Sequence, residues 1–197
     1  AAATTAGLTV GGSAVAGSTI NGSAVRDVFT IGAEGSAYNG NGGNDSITTT
    51  AAILVADGLT DGTINGGDGT DTLTISDTTV TLTDNHFTTL SGMETLALAS
   101  TVGDASVTTG GAFNAAFADG ATITTGVLAA TKDATINAGL ANMDLTVTVD
   151  LTTATGTAVE NNVVTTGSGN DTVNMNGDAS YVGVAGATGT IVVSTRA

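Results

Sequence analysis

The residues of this 197-residue chain that can do chemistry are concentrated in a nonapeptide at 66–74, Gly-Gly-Asp-Gly-Thr-Asp-Thr-Leu-Thr. Its glycines allow the chain to bend, Asp68 and Asp71 supply charged oxygens, and Leu73 closes the unit. Two related nonapeptides begin at Gly40 and Thr166. All three share a Gly, then Asn or Thr, then Asp, then Ser or Thr, then an aliphatic residue. Such oxygen-rich turns suit a hard cation such as calcium.

The acidic residues around these units support the same interpretation. The densest acidic cluster of the chain surrounds the second nonapeptide and contains Asp57, Asp61, Asp68, Asp71 and Asp77. Hard cations take six to eight oxygen ligands, which carboxylates and exposed glycine carbonyls can provide together. Aspartate and glycine are also common in ordinary surface turns, which is the alternative explanation.

The three units resemble the calcium-binding nonapeptides of the RTX (repeats-in-toxin) family, with the consensus Gly-Gly-x-Gly-x-Asp-x-aliphatic-x. The second unit matches fully, whereas the first has Asn41 for the second Gly and the third has Thr166 for the first Gly. The resemblance implies a parallel β-roll in which turns two units apart bind calcium together. Together with the acidic cluster, it implies metal ligation by Asp27, Gly43, Asn44, Asp45, Asp61, Gly67, Asp68, Gly69, Asp71, Gly167, Gly169, Asn170 and Asp171.

A nine-residue step from each unit's aliphatic residue tests for further repeats. From Ile47 the step reaches Tyr38, Phe29 and Ile20; from Leu73 it reaches Val55, Ile64 and Leu82; from Val173 it reaches Val164, Val182 and Ile191. A fixed period of this kind is typical of a solenoid. The step also places Asp27 and Asp45 two units apart on one edge, although Arg26 would compete for the Asp27 carboxylate.

The pattern predicts an all-β fold, a parallel β-roll or β-helix solenoid of degenerate nonapeptide coils with longer β-strand repeats in the middle. We assign nonapeptide solenoid to residues 1–92 and 157–197, and a β-strand repeat region to 93–156. That middle region either continues the solenoid or forms a separate β-sandwich. Its clearest strand is 143–151, with period-two alternation, and its one plausible helix, at 113–117, is very short.

Composition limits the function classes. A net charge of −15 argues against nucleic acid and anionic membrane surfaces as partners. Aromatic residues make up 3% of the chain, so the expected core consists of thin layers of small side chains. No run of residues is long and apolar enough to span a membrane. The first residues lack a signal-peptide pattern, and we expect the chain to be a piece of a longer protein.

The residues for enzymatic catalysis are scarce, so we predict that the chain is not an enzyme. His86 is the only histidine, there is no cysteine, and no serine lies in a complete Gly-x-Ser-x-Gly motif. We expect His86 to face solvent or to cap a turn.

Residues 86–98 add a second resemblance. They are similar to the Phe-x-x-Leu-Ser-Gly-Ile/Val-Glu-Thr-Leu-x-Leu phrase of long secreted surface-layer and RTX-like proteins. This resemblance implies a calcium-dependent bacterial surface-layer component that is extracellular, exported by a type I system and self-associating. It also admits cell-surface polysaccharide as a partner through parts outside this sequence.

Three alternatives remain open. The chain could be an RTX adhesin, or the calcium-binding secretion and folding domain of a type I-secreted toxin or enzyme. The third is an ice-binding module, because the pairs Thr72/Thr74, Thr122/Thr124 and Thr146/Thr148 are similar to the threonine ladders of ice-binding solenoids. Those ladders need a constant period, and the uneven sequence spacing of these pairs argues against ice binding.

Overall fold

The computed structural model of the chain describes residues 7–11, 17–55, 62–99, 103–129, 132–150, 162–176, 179–181 and 190–194. In the first half these residues form short strands: β1 Thr9–Val10, β2 Thr19–Asn21, β3 Val28–Thr30, β4 Ala37–Asn39, β5 Ser46–Thr49, β6 Ile64–Asn65, β7 Thr72–Ile75, β8 Val80–Leu82, β9 Leu90–Ser91 and β10 Thr95–Leu98. The second half continues with β11 Ala105–Thr108, β12 Ala121–Thr124, β13 Ala134–Asn137, β14 Leu145–Asp150, β15 Asn162–Thr165, β16 Thr172–Asn176, β17 Ala179–Tyr181 and β18 Thr190–Ser194.

These strands form three parallel sheets. The largest has nine strands in the order β1-β3-β5-β7-β10-β12-β14-β16-β18. A second has the order β2-β4-β6-β9, and a third has the order β17-β15-β13-β11-β8. The pairings in all three are parallel, so the predicted all-β class with parallel strands is confirmed. Strands from all three predicted segments, 1–92, 93–156 and 157–197, belong to the nine-stranded sheet.

The nine-residue step predicts most of the strand positions in the first half. Ile20, Phe29, Tyr38 and Ile47 lie in the consecutive strands β2 to β5. Ile20 pairs with Tyr38 and Phe29 pairs with Ile47, so partners in a sheet are two steps apart. Period-two alternation turns these side chains toward the interior and their neighbours outward.

The same step succeeds only partly elsewhere. Ile64, Leu73, Leu82, Val164, Val173 and Ile191 all lie in strands. Val55 does not, because it follows the short helix α1, Ala51–Leu54, and its side chain is 39% exposed. The helix interrupts the nine-residue period there. Val182 lies outside the described residues.

Among the described residues, two other short helices lie in the middle of the chain. The helix α2 spans Gly111–Ala116, at the place of the predicted short helix, and a 3-10 helix spans Asp84–Phe87. The Asp84 carboxylate accepts hydrogen bonds from the backbone N–H groups of Ala112 and Phe113 at 3.0 and 2.9 Å. It therefore caps the start of α2. His86 caps the 3-10 helix, since its Nδ1 lies 3.0 Å from the backbone N of Thr83, as expected.

The core combines aliphatic side chains from the inner faces of the strands with five buried aromatic side chains, so it is not built of small side chains alone as expected: Phe29, Tyr38, Phe87, Phe113 and Phe117. Leu73, Leu96, Ile123 and Val147 are fully buried at equivalent positions of β7, β10, β12 and β14. The clearest predicted strand is confirmed as β14, whose residues alternate between buried and half-buried. No helix among the described residues has the length and apolar character needed to cross a membrane.

Candidate metal centre

The first two nonapeptides lie directly against each other in the structure. Ser46 and Thr72 are partners in the β5–β7 pairing, and the turns that precede them stack in the same register. The backbone N–H of Asp68 donates to the carbonyl of Asn41 at 3.0 Å, and that of Gly43 donates to the carbonyl of Asp68 at 2.9 Å. The two units are 26 residues apart in sequence, yet they form one continuous edge.

The glycines of these turns make the close stacking possible. Gly69 has φ +142°, a backbone conformation that L side chains rarely adopt, and a Cβ there would lie 1.8 Å from the carbonyl oxygen of Gly43. Gly43, Gly67 and Gly169 also have positive φ. These predicted site residues therefore shape the turn through their backbone.

A carboxylate ladder runs along this edge and consists of Asp27, Asp45, Asp71 and Glu94, each immediately before a strand of the nine-stranded sheet. The backbone N–H of Asp27 donates to Asp45 Oδ1 at 2.7 Å, and that of Asp45 donates to Asp71 Oδ1 at 2.7 Å. The N–H of Asp71 donates to Glu94 Oε2 at 2.6 Å. The expected stacking of Asp27 and Asp45 on one edge is confirmed.

The second carboxylate oxygens differ along the ladder. Asp27 Oδ2 accepts a hydrogen bond from the backbone N–H of Ser23 at 2.6 Å. In contrast, Oδ2 of Asp45 and Oδ2 of Asp71 are buried and have no hydrogen-bond partner. An unpartnered polar atom in the interior destabilises a fold by about 1–3 kcal/mol. Asp45 and Asp71 therefore each present one oxygen that lacks a partner.

Small cradles lie beside these free oxygens. A Cβ on Gly40 would lie 2.0 Å from Asp45 Oδ2 and 2.1 Å from the carbonyl oxygen of Gly66. One layer further, a Cβ on Gly66 would lie 2.5 Å from Asp71 Oδ2 and 2.0 Å from the carbonyl oxygen of Gly92. In each case a carboxylate oxygen and a backbone carbonyl oxygen face the same small space, which only a glycine leaves open.

The pKa values of the ladder carboxyls follow from these environments. Burial raises the pKa of Asp71 to about 6; the N–H of Asp45 opposes this, and the negative charges of Asp45 and Glu94 add to it. Burial also raises the pKa of Asp45, partly offset by the N–H of Asp27 and the charge of Arg26. For Asp27, burial acts in the same direction, but the hydrogen bonds from Ser23 and Leu8 outweigh it and lower its pKa.

The third nonapeptide forms a separate part of the same edge. Asp171 is buried, its Oδ1 accepts the backbone N–H of Leu145 at 3.0 Å, and its Oδ2 has no partner. Gly167 and Gly169 pack closely against the backbone carbonyls of Ala141 and Met143. The hydrogen bonding of the carboxylate thus repeats that of Asp45 and Asp71, but Thr166 occupies the position of the cradle glycines Gly40 and Gly66, and the preceding layer has Leu145 in place of a carboxylate.

Other predicted ligands lie away from these cradles. Asp68, Asn44 and Asn170 are exposed, and Asn44 Oδ1 accepts the backbone N–H of Thr70 at 3.1 Å. Asp77 follows the opposite end of β7 from Asp71, and its Oδ2 accepts the N–H of Ala51 at 2.7 Å. Asp57 and Asp61 lie outside the described residues. The dense acidic cluster around the second nonapeptide is therefore divided by β7.

The described residues contain no group of three or more His, Cys, Asp or Glu side chains that could hold a metal ion. A cation at this edge would therefore need backbone carbonyl oxygens beside the carboxylates. The glycine carbonyls of the cradles are such atoms.

Sequence reasoning missed Glu94 and the carbonyls of Gly66 and Gly92. Glu94 lacks the preceding Gly-x-Gly pattern, but it does precede a Ser/Thr and an aliphatic residue, as Asp45 and Asp71 do. An acidic residue followed by Ser/Thr and an aliphatic residue was therefore the signal that could have found it.

Comparisons with protein-family models, with curated proteins and with solved structures find no match to this chain.

Proposed function

We propose that this chain is a calcium-dependent structural segment of a secreted bacterial cell-surface protein. In this proposal it is a component of a surface-layer lattice, and its folding and assembly are triggered by extracellular calcium. The observation that carries the proposal is the pair of buried carboxylate oxygens, on Asp45 and Asp71, that lack partners and face glycine carbonyls.

The strand order supports a parallel β-solenoid as the architecture of this segment. From β1 to β7 the chain returns to the nine-stranded sheet at every second strand, and from β10 to β18 it does so again. Each return pairs in parallel with the strand before it in that sheet. A solenoid of this kind offers long lateral faces through which neighbouring copies of a surface array associate.

The donor set of the cradles fits calcium. Calcium binds carboxylate and carbonyl oxygens together with water, and these are the atoms that face Gly40 and Gly66. Asp45 with the carbonyl of Gly66, and Asp71 with the carbonyl of Gly92, would hold the ion. When bound, calcium supplies positive charge to carboxylates that are otherwise buried without compensation.

The ladder explains why folding would depend on the ion. Asp45 and Asp71 are consecutive members of the carboxylate ladder, and each raises the other's free energy when both are ionised. The whole chain carries a net charge of −15, which opposes compaction further. Without a cation these carboxylates favour the open chain that export requires. Binding free energy then becomes folding free energy.

The first test is a calcium titration of the chelated chain followed by far-UV circular dichroism and thermal unfolding. We expect calcium to raise the β signal and Tm in the range of about 0.1–1 mM, as in extracellular calcium modules. At a calcium concentration a hundred times Kd the stabilisation would be about 2.7 kcal/mol. An unchanged β signal and Tm after exhaustive chelation would contradict the proposal.

A matched pair of variants locates the effect. Asp71→Asn removes the charge of a buried ladder residue and should lose most of the calcium-induced rise in Tm. Asp68→Asn makes the same chemical change at an exposed position of the same nonapeptide and should retain it. An equal calcium-induced rise in Tm in the two variants would show that calcium does not bind at the cradles.

Electron microscopy of the protein with calcium separates the surface-layer proposal from its rivals. Two-dimensional sheets would support the lattice. Isolated rods would favour an adhesin or the secretion and folding domain of an exported toxin or enzyme.

A further inference from the structure

The outward face of the nine-stranded sheet carries two parallel rows of side chains, ten of which bear a hydroxyl group, and we call these rows the threonine grid. The first row contains Ser46, Thr72, Thr95, Thr122, Thr146 and Thr172, which are partners in consecutive strand pairings. The second row, two residues further along each strand, contains Thr48, Thr74, Ala97, Thr124, Thr148 and Asn174. All twelve side chains are half-buried and alternate with fully buried core residues.

The sequence spacing of these residues conceals the grid. Partners in the first row are separated by different numbers of residues, because the turns and the helix α2 between the strands differ in length. The strand pairings nevertheless align every member of the row. The uneven sequence spacing argues against a regular threonine array. The structure shows that this unevenness lies in the connections between strands, while the strands themselves are in register.

The grid has a fixed two-dimensional repeat. Neighbouring strands lie about 4.8 Å apart, and residues i and i+2 of one strand lie about 6.6 Å apart. Threonine has few χ1 rotamers, so its hydroxyl and methyl groups are already restrained before any ligand binds. Each hydroxyl can both donate and accept a hydrogen bond.

Other occupants of this face fit its chemistry poorly. Stable protein interfaces are enriched in aromatic residues, Met and Arg, and the grid has none of these. Stacking a second grid on it would bury hydroxyls without assured partners, which is unfavourable. The grid itself holds no charged side chain for a charged ligand to pair with, and Asp150, two residues beyond Thr148 at the end of β14, borders it.

We propose that the threonine grid binds ice, that is, an ordered lattice of water. The grid presents hydroxyl and methyl groups in a regular two-dimensional array, on which neighbouring water molecules can be held in order. Its restrained side chains lose little entropy when the adjoining water becomes ordered. This inference concerns a different surface from the carboxylate ladder and does not depend on calcium ligation.

The experiment measures thermal hysteresis and partition into a growing ice crystal for the whole chain, in a buffer in which circular dichroism shows β structure. We expect the chain to be enriched in ice and to depress the freezing point below the melting point. Exclusion from ice to the same extent as an acidic protein of similar size would overturn the proposal.

A pair of substitutions assigns the effect to the grid. Thr122→Tyr lies at the centre of the first row and should abolish hysteresis and ice partition. Thr135→Tyr is the matched control, since Thr135 is an exposed threonine on β13 of the five-stranded sheet, and it should leave both unchanged. Equal ice partition by the two folded variants would contradict the assignment.

A third variant keeps the test decisive if Thr122→Tyr fails to fold. Ala97 is the one alanine in the grid, and Ala97→Thr adds the missing hydroxyl and methyl to the second row. It should increase hysteresis at equal protein concentration. Unchanged or lower hysteresis in the folded variant would overturn the proposal.

Discussion

The same edge of the nine-stranded sheet is acidic in one region and apolar in the next. Ala121 and Leu145 are the first residues of β12 and β14. The strand register places them at positions equivalent to Glu94 in the carboxylate ladder. Both are buried, and the backbone N–H of Ala121 donates to the carbonyl of Asp144 at 3.2 Å. The comparison teaches that parallel pairing at this edge does not require carboxylates.

Strand pairing therefore does not explain why carboxylates occupy the ladder positions. Buried ionised groups without compensating partners are a liability, and an apolar residue at the same position avoids it. The presence of Asp45 and Asp71 beside the cradle glycines Gly40 and Gly66 is consistent with the proposed cation site. The middle region, with Ala121 and Leu145, should fold without one.

The largest expected effect comes from moving a carboxylate into the apolar region. Leu145→Asp places a charge at a buried position next to the carboxylate of Asp171, whose Oδ1 accepts the backbone N–H of Leu145. We expect it to lower the free energy of unfolding at neutral pH by about 3–5 kcal/mol. Denaturant unfolding measures the loss. Leu145→Asn is the control, because it removes the same apolar group without adding charge. Equal stability of the two variants would show that the region tolerates carboxylates as the ladder does.

A smaller effect should follow from filling a cradle in the acidic region. Gly66→Ala places a Cβ 2.0 Å from the carbonyl oxygen of Gly92 and 2.5 Å from Asp71 Oδ2. We expect a loss of about 1–3 kcal/mol, typical of overpacking, and a weaker calcium response. Gly111→Ala is the matched control, since nothing lies within 4 Å of a Cβ there. If both variants unfold at the same temperature and respond alike to calcium, the cradle is not a constrained site.

The pH dependence of the stability of the calcium-free chain should distinguish Asp71 and Asp45 from Asp27. Asp71 has a pKa raised to about 6 in the folded chain, and that of Asp45 is also raised. The contribution of each to stability is fully present below its pKa in the unfolded chain, where it is protonated. It is lost as the pH rises through the raised pKa, which is about 6 for Asp71. The pKa of Asp27 is lowered, so its contribution is present above its unfolded pKa and is lost at more acidic pH.

We therefore expect Tm without calcium to be several degrees higher at mildly acidic pH than at neutral pH. Differential scanning calorimetry across this range measures it, and Asp71→Asn should flatten the dependence. A Tm that rises steadily from acidic to neutral pH in the wild-type chain would be inconsistent with the raised pKa values.

Much of the first half of the fold could be predicted, because a regular nine-residue step needs only local information. The step places Phe29, Tyr38 and Ile47 in strands, as the structure has them. It fails at Val55, where α1 lengthens the connection between β5 and β6. An insertion alters the register of everything after it, and the sequence does not state where the inserted residues leave the sheet.

The sequence predicts which residue types form the candidate site better than it predicts how they are arranged. Asp45 and Asp71 follow from the nonapeptides, whereas Glu94 enters the ladder only through the pairing of β7 with β10. The threonine grid was likewise hidden, because its members become neighbours only when the turns between them are folded.

The sequence by itself determined the chemistry of this protein: glycine turns with aspartates, inward aliphatic residues and outward threonines at period two. These are local properties, set by backbone freedom, charge and side-chain shape. Only the tertiary structure decided which turns stack on which, which carboxylate oxygens keep a partner, and which threonines share a row. The reason is physical, since pairing between strands joins residues 17 to 29 positions apart through connections whose lengths vary.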